Sequence, residues 1–464
     1  MDFKKIKKVY MIGIKGSGMA QLARYFAENG KEVIGSDVAE NFPTSEESLE
    51  HENIRILLGF DENNIDPGSD LIIYSTAYKP EKNPEVRKAL DGRIKAVNYP
   101  EALSAVFNQK YGIAVVGSHG KTTTTAWLGY VLLEAGFRPN VIVGSIVPQF
   151  KGGSLVGGSD YFVAEVDEYQ NKLRYFNPRA VLLNNIDYDH PDFFLSREDY
   201  EKVFADFIKR IPAKGILIAN FDDPVVRRLS SVNCPARVLS YAIGNKADYE
   251  AYEIKNDGAR QVFKVRTRED DESFELGSFT ISLAGRHNIS NALAVIAMSV
   301  QLDIPLKDIR GYLAEFRGTN RRMQVLGEYN GGLFIDDYAH HPTEIKTTLE
   351  GIKSRYRGRF LTVVFHPHTF TRTKALMDDF SKCFSKADKV IVLDIFGSAR
   401  EEQGGVHSTE MVSKIKEEEP EKEVVYIPTL AECEEYLKKN VGNGDIVVLM
   451  GAGDVFQVAD NLIK

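Results

Sequence analysis

The chain has 464 residues, a formal net charge of −8 and a pI near 5.7. Because single hydrophobic cores stop growing near ~250 to 300 residues, this length predicts two or three domains. The acidic balance argues against a nucleic-acid partner, and no apolar run reaches the roughly 18 to 20 residues of a membrane span. Cys234, Cys383 and Cys433 lack CxxC spacing, which favours a reducing, cytoplasmic compartment.

The first 108 residues alternate between strand-like and helix-like patterns, which predicts a small Rossmann-like α/β domain over 1–108. We expect strands at 9–14, Glu32–Gly35, Leu71–Tyr74 and Ile94–Val97, with a helix over Met19–Asn29.

A glycine turn joins the first strand to the first helix. It reads Gly13-Ile14-Lys15-Gly16-Ser17-Gly18, and Asp37 follows 19 residues after Gly18. The GxxGxG spacing matches the dinucleotide fingerprint GxGxxG weakly, and a plain tight turn is the alternative. Backbone N–H groups at a helix N-terminus would still favour a phosphate here.

A second α/β series begins at Gly112–Val116, and we place a middle domain at 109–317. Its predicted helices and strands are Thr122–Ala135, Tyr161–Glu165, Ala180–Asn184, Tyr200–Ile211, Gly215–Ala219 and Asn288–Leu302. Alternating stretches within 236–283 predict an antiparallel addition to a mostly parallel sheet.

The strongest chemical signal in the sequence is a phosphate-binding loop after the strand that ends at Val116. It reads Gly117-Ser118-His119-Gly120-Lys121-Thr122-Thr123. Its glycines admit backbone N–H groups to phosphate oxygens, Lys121 offers charge to the β and γ phosphates, and Thr122 is a Mg²⁺ ligand candidate. Val115 stands where the usual eight-residue pattern has its first glycine, so the loop is a variant.

Acidic and imidazole groups follow the next strands of this domain. Glu165 ends a strand 43 positions after Thr122 and is our first candidate for a Mg²⁺ ligand, whereas Asp167 could equally be a solvated carboxylate. His190 follows a further strand and is either a ligand of a second metal or a structural hydrogen-bonding group.

The third α/β series fills 318–464, with strands expected at Leu333–Asp336, Leu361–Phe365, Val390–Asp394 and Ile446–Met450. Charged groups and imidazoles cluster at two successive strand ends, which predicts that they converge on one crevice. These groups are Arg321, Arg322, Asp336, Asp337, His340, His341, His366, His368 and Arg372.

With these motifs in order, the chain resembles the Mur ligases of peptidoglycan synthesis over essentially its full length. The motifs that carry the resemblance are Gly13–Met19, Gly117–Thr124, Glu165–Glu168, Asp189–His190, Gly285–Asn288 with Asn291, Arg321–Arg322, Asp336–Pro342 and Gly451–Asp454.

The resemblance implies three α/β domains: a Rossmann-like domain that binds a UDP-linked sugar acid, a P-loop ATPase-like domain that binds ATP, and a second Rossmann-like domain that admits the amino acid. It implies amide formation between L-alanine and the lactyl carboxylate of UDP-N-acetylmuramate through an acyl phosphate, with ATP and Mg²⁺, in a monomer or weak homodimer. The implied UDP-sugar residues are Gly13, Lys15, Gly16, Ser17, Gly18, Met19, Ser36, Asp37, Ser75 and Thr76.

The same resemblance assigns roles in the other two domains. The implied ATP-binding residues are Gly117 to Thr123, His287, Asn291, Arg322 and Asp337, and the implied metal ligands are Thr122, Glu165 and His190. The implied catalytic residues are Lys121, His190, His340 and Arg372, with His340 as a base for the incoming amine.

Several alternatives stay open at this point. Thr369 stands where many members of the subfamily have arginine, and Glu168-Tyr169 and Asn41-Phe42-Pro43 resemble a related ligase that adds a recycled murein tripeptide. More distant alternatives are an NAD(P)-dependent oxidoreductase with Asp37 on the ribose and an ATP-binding regulatory module.

Overall fold

The computed structural model describes residues 2–38, 46–257, 260–269, 272–397, 401 and 403–463. Asn41-Phe42-Pro43 lies outside the described residues. The strands are β1 Lys8–Ile12, β2 Glu32–Asp37, β3 Ile54–Leu58, β4 Leu71–Tyr74, β5 Ala96–Asn98, β6 Tyr111–Val116, β7 Asn140–Val147, β8 Gly152–Val156, β9 Tyr161–Glu165, β10 Ala180–Leu183, β11 Ile216–Asn220, β12 Arg237–Ala242, β13 Tyr249–Asp257, β14 Arg260–Glu269, β15 Glu272–Ile281, β16 Gln324–Tyr329, β17 Gly332–Asp337, β18 Leu361–Phe365, β19 Lys389–Val392, β20 Glu423–Tyr426 and β21 Ile446–Met450.

Helices alternate with these strands along the chain. They are α1 Ser17–Glu28, α2 Glu46–Leu49, α3 Pro84–Asp91, α4 Tyr99–Phe107, α5 Lys121–Glu134, α6 Arg197–Ile208, α7 Pro224–Asn233, α8 Arg286–Gln301, α9 Leu306–Glu315, α10 Pro342–Arg355, α11 Phe370–Ala375, α12 Met377–Phe380, α13 Ser408–Glu418, α14 Leu430–Asn440 and α15 Gln457–Asp460. Short 3-10 segments lie at Glu62–Asn64, Pro148–Phe150 and Tyr169–Tyr175. Among the described residues, every helix is too short or too polar to cross a lipid bilayer.

The first sheet is parallel, with strand order β3-β2-β1-β4-β5. Strand β1 lies at its centre because Val9 to Ile12 are apolar and fully buried. The carboxyl end of β1 therefore opens at the point where the strand order reverses, which is the usual ligand crevice of such sheets. Strand β3 was not predicted; its residues lie at the sheet edge and are mostly half exposed, so its apolar pattern is weak.

The middle sheet has the order β15-β14-β13-β12-β11-β10-β6-β9-β7-β8 within the described part of the chain. Strand β6 pairs in parallel with β9 and β10, so the phosphate loop that follows β6 emerges at the centre of the sheet. The predicted antiparallel addition begins later than residue 236, because β12 pairs in parallel with both β11 and β13. The antiparallel pairs of this addition are β13 with β14 and β14 with β15, and β8 pairs antiparallel with β7 at the other edge of the sheet.

The third sheet has the order β16-β17-β21-β18-β19-β20, with an antiparallel β16 at one edge. The carboxyl ends of β17 and β18 face the middle domain, since their following loops contact it. The first and middle domains share one continuous core, in which Tyr25 lies 5.6 Å from Phe162 between ring centroids. The predicted boundary at 108 falls between α4 and β6, and that at 318 between α9 and β16; both boundaries stay predictions.

Candidate functional site

The phosphate loop connects β6 to α5, and its glycines are required by its shape. Gly117 has φ +135° and Gly120 has φ +78°, in the region that side chains disfavour. A Cβ at Gly120 would also lie 2.7 Å from Oδ1 of Asn291. The first N–H groups of α5 have no intrahelical acceptor, so the loop and the helix dipole together form an anion-binding cradle.

Lys121 of this loop is held by a buried glutamate. Its Nζ donates to Oε2 of Glu168 at 3.0 Å and to the carbonyls of Gly117 and Ser118 at 2.5 and 3.1 Å. Glu168 is 1% exposed and also accepts a hydrogen bond from the Tyr200 hydroxyl at 2.9 Å. Burial lowers the pKa of Lys121, but the Glu168 carboxylate and its neighbours outweigh burial and raise that pKa, so the ammonium keeps its charge.

A hydrogen-bonded path links the phosphate loop to the first glycine turn. Thr122 donates its hydroxyl to Oε1 of Glu165 at 2.9 Å, and Oε2 of Glu165 accepts the Gly144 N–H at 2.8 Å. The carbonyl of Gly144 accepts the Ser17 hydroxyl at 2.8 Å. Glu165 therefore stands between the ends of two predicted phosphate sites.

The predicted metal ligands fall into two neighbouring groups. Thr122 and Glu165 are in contact, whereas His190 lies with Asp167 and Glu168, whose ligand atoms are all within 4.8 Å of one another. The His190 Nε2 atom is 3.9 Å from Oε1 of Glu168. The oxygen donors of these groups fit Mg²⁺, which prefers hydroxyl and carboxylate oxygen, and His190 adds one nitrogen.

A cavity of about 550 Å³ extends from the phosphate loop between the middle and third domains. Gly120 and Thr123 line its phosphate end, and the predicted ATP residues His287, Asn291, Arg322 and Asp337 line the rest. Burial chiefly, and then Arg322, lower the pKa of His287 to about 4, so this imidazole is neutral. A neutral imidazole and amide groups suit an uncharged base, and the size is that of a small-molecule site.

His119 connects the phosphate loop to the third domain. Its Nε2 lies 3.0 Å from Oδ2 of Asp187, and its Nδ1 lies 3.2 Å from Oε1 of Glu344 on α10. Burial lowers the pKa of His119, but the two carboxylates outweigh burial and raise it to about 9. His119 is therefore an imidazolium that bridges the middle and third domains. The phosphate-loop motif and the resemblance had assigned this residue only to ATP binding.

The catalytic candidates of the third domain meet the middle domain at Asp189. Arg372 is buried, and its Nε and Nη2 donate to the two carboxylate oxygens of Asp189 at 3.0 and 3.4 Å. His340 lies nearby, and its Nδ1 is 2.9 Å from the Tyr338 carbonyl. Burial, and then the Arg372 charge, lower the pKa of His340 to about 4, so a neutral ring donates from Nδ1 and keeps Nε2 as an acceptor.

Thr369, the departure from the family pattern, caps α11 with φ +70°. A β-branched residue at positive φ is strained, so the neighbouring contacts must hold it there. Its N–H donates to the Phe396 carbonyl at 2.9 Å, and its carbonyl accepts from Thr373 at 3.1 Å. Because residue 369 is a threonine, the buried guanidinium of this part of the site is that of Arg372.

The predicted UDP-sugar residues surround the carboxyl end of β1. Gly13 has φ +81°, and a Cβ there would lie 2.7 Å from the Tyr78 ring. Asp37 accepts the Lys15 N–H at 2.7 Å and the Tyr78 hydroxyl at 3.0 Å, so its carboxylate closes the turn. Gly16, Ser17 and Gly18 open α1, Ser75 and Thr76 follow β4, and Met19 is buried.

The Ser36 hydroxyl, in contrast, points away from this turn. Ser36 is fully buried and donates to Glu85, which also accepts from the Tyr10 hydroxyl at 3.2 Å. Any contact of Ser36 with a ligand would therefore use its backbone.

Sequence reasoning passed over Glu168, Tyr200 and Glu344 as site residues. Glu168 had a usable signal, since it lies three positions beyond Glu165 at the same strand end. Tyr200 and Glu344 lie inside helices, where a charge or hydroxyl is normally a solvated group, and their contacts depend on tertiary packing.

Family models match three consecutive stretches of the chain. The Mur ligase family catalytic domain matches residues 8–111, the Mur ligase middle domain 115–299, and the Mur ligase glutamate ligase domain 321–453. The predicted Rossmann-like, ATPase-like and Rossmann-like order of an α/β chain is confirmed by these matches and by the sheets.

Similar proteins extend over the whole chain. It is 35% identical to UDP-N-acetylmuramate–L-alanine ligase of Desulfitobacterium hafniense, over 98% of this chain and 99% of that protein. It is 37% identical to the enzyme of the same name from Clostridium acetobutylicum, over 99% and 98% of the two chains.

Two solved structures share the fold. The UDP-N-acetylmuramate-alanine ligase of Thermotoga maritima superposes with a TM-score of 0.79 at 24% identity, covering 98% of each chain. A murein peptide ligase of Psychrobacter arcticus gives 0.74 at 25% identity, again over 98% of each chain. From the three matched domains and the full-length relatives, the chain belongs to the Mur ligase family.

Proposed function

We propose that this chain joins L-alanine to the lactyl carboxylate of UDP-N-acetylmuramate at the expense of ATP, in peptidoglycan precursor synthesis. The relatives at 35% and 37% identity carry that activity in their names. Neither the site nor these relatives support the oxidoreductase alternative. The alternative that stays open is the addition of a tripeptide in place of alanine, because one structural relative is a murein peptide ligase.

One observation carries the proposal: the phosphate loop lies where three domains meet. Thr122 reaches Glu165 and, through Gly144, Ser17 of the first domain, while His119 reaches Glu344 of the third. A ligase of this class needs a phosphoryl donor between an acid and an amine, and this junction offers that arrangement.

The residues present fit ATP and a divalent cation. Thr122 and Glu165 would hold Mg²⁺ with oxygen donors, and Asp167, Glu168 and His190 offer a second group of ligand atoms. When bound, Mg²⁺ supplies charge that offsets the repulsion between a carboxylate and a phosphate.

The chain's own groups would do the remaining work. In the first step a carboxylate oxygen of the sugar acid bonds to the γ-phosphorus, and ADP leaves with the electron pair of the broken P–O bond. The Lys121 ammonium would bind the phosphate oxygens. To do so, it must replace its hydrogen bond to Glu168 with one to phosphate. In the second step the amine bonds to the carbonyl carbon and phosphate leaves.

His340 is our candidate for accepting the proton that the amine loses. Its ring is neutral near pH 7, because burial holds its pKa at about 4, and Nε2 is the acceptor when Nδ1 donates to Tyr338. Arg372, fixed by Asp189, would place its positive charge near the amino-acid carboxylate.

An amino-acid panel tests the proposal. The full-length protein is incubated with ATP, Mg²⁺ and UDP-N-acetylmuramate plus single amino acids or the L-alanyl-γ-D-glutamyl-diaminopimelate tripeptide, and the product mass is recorded. We expect one alanyl amide per phosphate released. Turnover with the tripeptide and none with alanine would overturn the assignment of the amino acid and leave the ligase chemistry.

A further inference from the structure

A second cavity, of about 250 Å³, lies between the first and middle domains. Ser17 and Gly18 of the glycine turn line one part of it, and Glu165 and Asp167 line another. Lys172 provides the positive charge among the described side chains of its wall. Apolar surface comes from Tyr99, Leu103, Ile142 and Phe176.

An unusual backbone turn brings Lys172 to this cavity. Gln170 and Asn171 are consecutive residues at φ +56° and +53°, inside the segment Tyr169–Tyr175. Such a pair of left-handed residues is strained and persists where the surrounding structure holds it. The turn carries the Lys172 ammonium back over the Tyr169 ring, 5.3 Å from its centroid.

The Lys172 ammonium is largely buried, and one of its three N–H groups is bonded to Asp167. Its side chain is 17% exposed, and Nζ donates to Oδ2 of Asp167 at 2.5 Å. An ammonium has three N–H donors, and Asp167 accepts one. The other Asp167 oxygen accepts the Tyr169 N–H at 2.9 Å, so the carboxylate is itself held in place.

Lys172 and Lys121 pair with two carboxylates that follow the same strand, β9: Lys172 with Asp167, and Lys121 with Glu168. Glu165 reaches the Lys121 side through Thr122 and also lines the cavity that Lys172 enters.

We propose that Lys172 is a binding residue for the lactyl carboxylate of the sugar acid, and that it holds this carboxylate opposite the phosphate that Lys121 holds. The assignment rests on the proposed function. Two anions must approach each other in the first step, and two lysines that pair with neighbouring carboxylates, Asp167 and Glu168, would give each anion its own cation. A substrate carboxylate takes the free donors of Lys172 while Asp167 keeps the ammonium oriented.

Two sugar nucleotides that differ in the carboxylate test this role. Calorimetric titrations of the full-length protein use UDP-N-acetylmuramate and UDP-N-acetylglucosamine, which lacks the lactyl group. In Lys172→Met we expect affinity for the first to fall about 10- to 100-fold, the range of a lost charge-assisted hydrogen bond. Affinity for UDP-N-acetylglucosamine should stay unchanged, which also shows that the variant is folded.

Matched variants complete the design. Lys172→Arg keeps a cation and should retain most of the preference for the carboxylate, while Lys202→Met removes an exposed lysine of α6 and should behave as wild type. Equal losses with both sugar nucleotides would show that Lys172 is structural, and no loss with UDP-N-acetylmuramate would show that Lys172 does not bind the carboxylate. A wild-type protein that binds neither sugar nucleotide would instead overturn the proposed function and this assignment with it.

Discussion

Lys121 of the phosphate loop and Glu168, 47 positions later, form a buried ion pair at 3.0 Å. The pair holds the lysine in the loop, against the carbonyls of Gly117 and Ser118. A bound γ-phosphate must compete with Glu168 for the same ammonium. Glu168 thus sets both the position of Lys121 and the ease with which it is released.

We predict that Glu168→Gln lowers kcat/KM by about tenfold to hundredfold, because a charged partner of Lys121 is lost while the shape is kept. Steady-state phosphate release measures the change. Tyr200→Phe is the matched control, since it removes a hydroxyl bound to Glu168 and leaves its charge; we expect a smaller loss. Equal activity of Glu168→Gln and wild type would contradict the role of the pair.

Glu165 should govern the requirement for the metal. Glu165→Gln keeps the hydrogen bond to Gly144 within reach but removes a carboxylate ligand, so we expect the half-saturating Mg²⁺ concentration to rise about tenfold. A Mg²⁺ titration of activity at fixed ATP checks this. Glu198→Gln, at an exposed position of α6, should leave the titration unchanged, and an unaltered Mg²⁺ requirement in Glu165→Gln would exclude Glu165 as a ligand.

Arg372 and Asp189 should act as one unit. Each single change, Arg372→Met or Asp189→Asn, leaves a buried charged or polar group without its partner, so each lowers kcat/KM. The double variant should lose less than the sum, with a coupling of about 2 kcal/mol. The four kcat/KM values give the cycle directly, and strict additivity would mean that the two side chains do not pair during turnover.

The raised pKa of His119 should make the stability of the folded chain fall at alkaline pH. Its pKa in the folded chain is about 9, above the ordinary 6.5, so its stabilising contribution is complete below pH 6.5 and is lost as the pH rises through 9. We expect the thermal midpoint of the wild type to fall over this window more steeply than that of His119→Asn. Glu344→Gln should reduce the slope in part, and parallel curves for wild type and His119→Asn would contradict the ion pairs.

Much of this site follows from the sequence because it lies at strand ends. Strands β6 and β9 are parallel neighbours in the sheet, and their register places Val115 opposite Glu165. The phosphate loop that follows β6 and the acid at the end of β9 therefore lie at the same sheet edge. Val115 itself is fully buried in the sheet, so the glycine of the usual pattern would stand inside a strand here. The loop and Glu165 were therefore predictable.

The remaining contacts depend on how the domains pack, which local patterns do not contain. His190, a predicted metal ligand, lies with Asp167 and Glu168 and has a backbone φ of +58°, whereas Thr122 and Glu165 contact each other. Asp189, which pairs with Arg372, and Glu344, which pairs with His119, each lie in a different domain from their partner, and no spacing within one domain predicts these two contacts. The metal and catalytic roles of all these residues stay predictions.

We propose that ATP bound at the phosphate loop activates the sugar-acid carboxylate for amide formation. Isotope transfer tests this step: UDP-N-acetylmuramate labelled with ¹⁸O in its carboxylate is supplied with ATP, Mg²⁺ and L-alanine, and the products are analysed by mass spectrometry. If an acyl phosphate forms, each released phosphate carries one ¹⁸O and one alanyl amide appears with it. Amide formation with unlabelled phosphate, or phosphate release without the amide, would contradict the account.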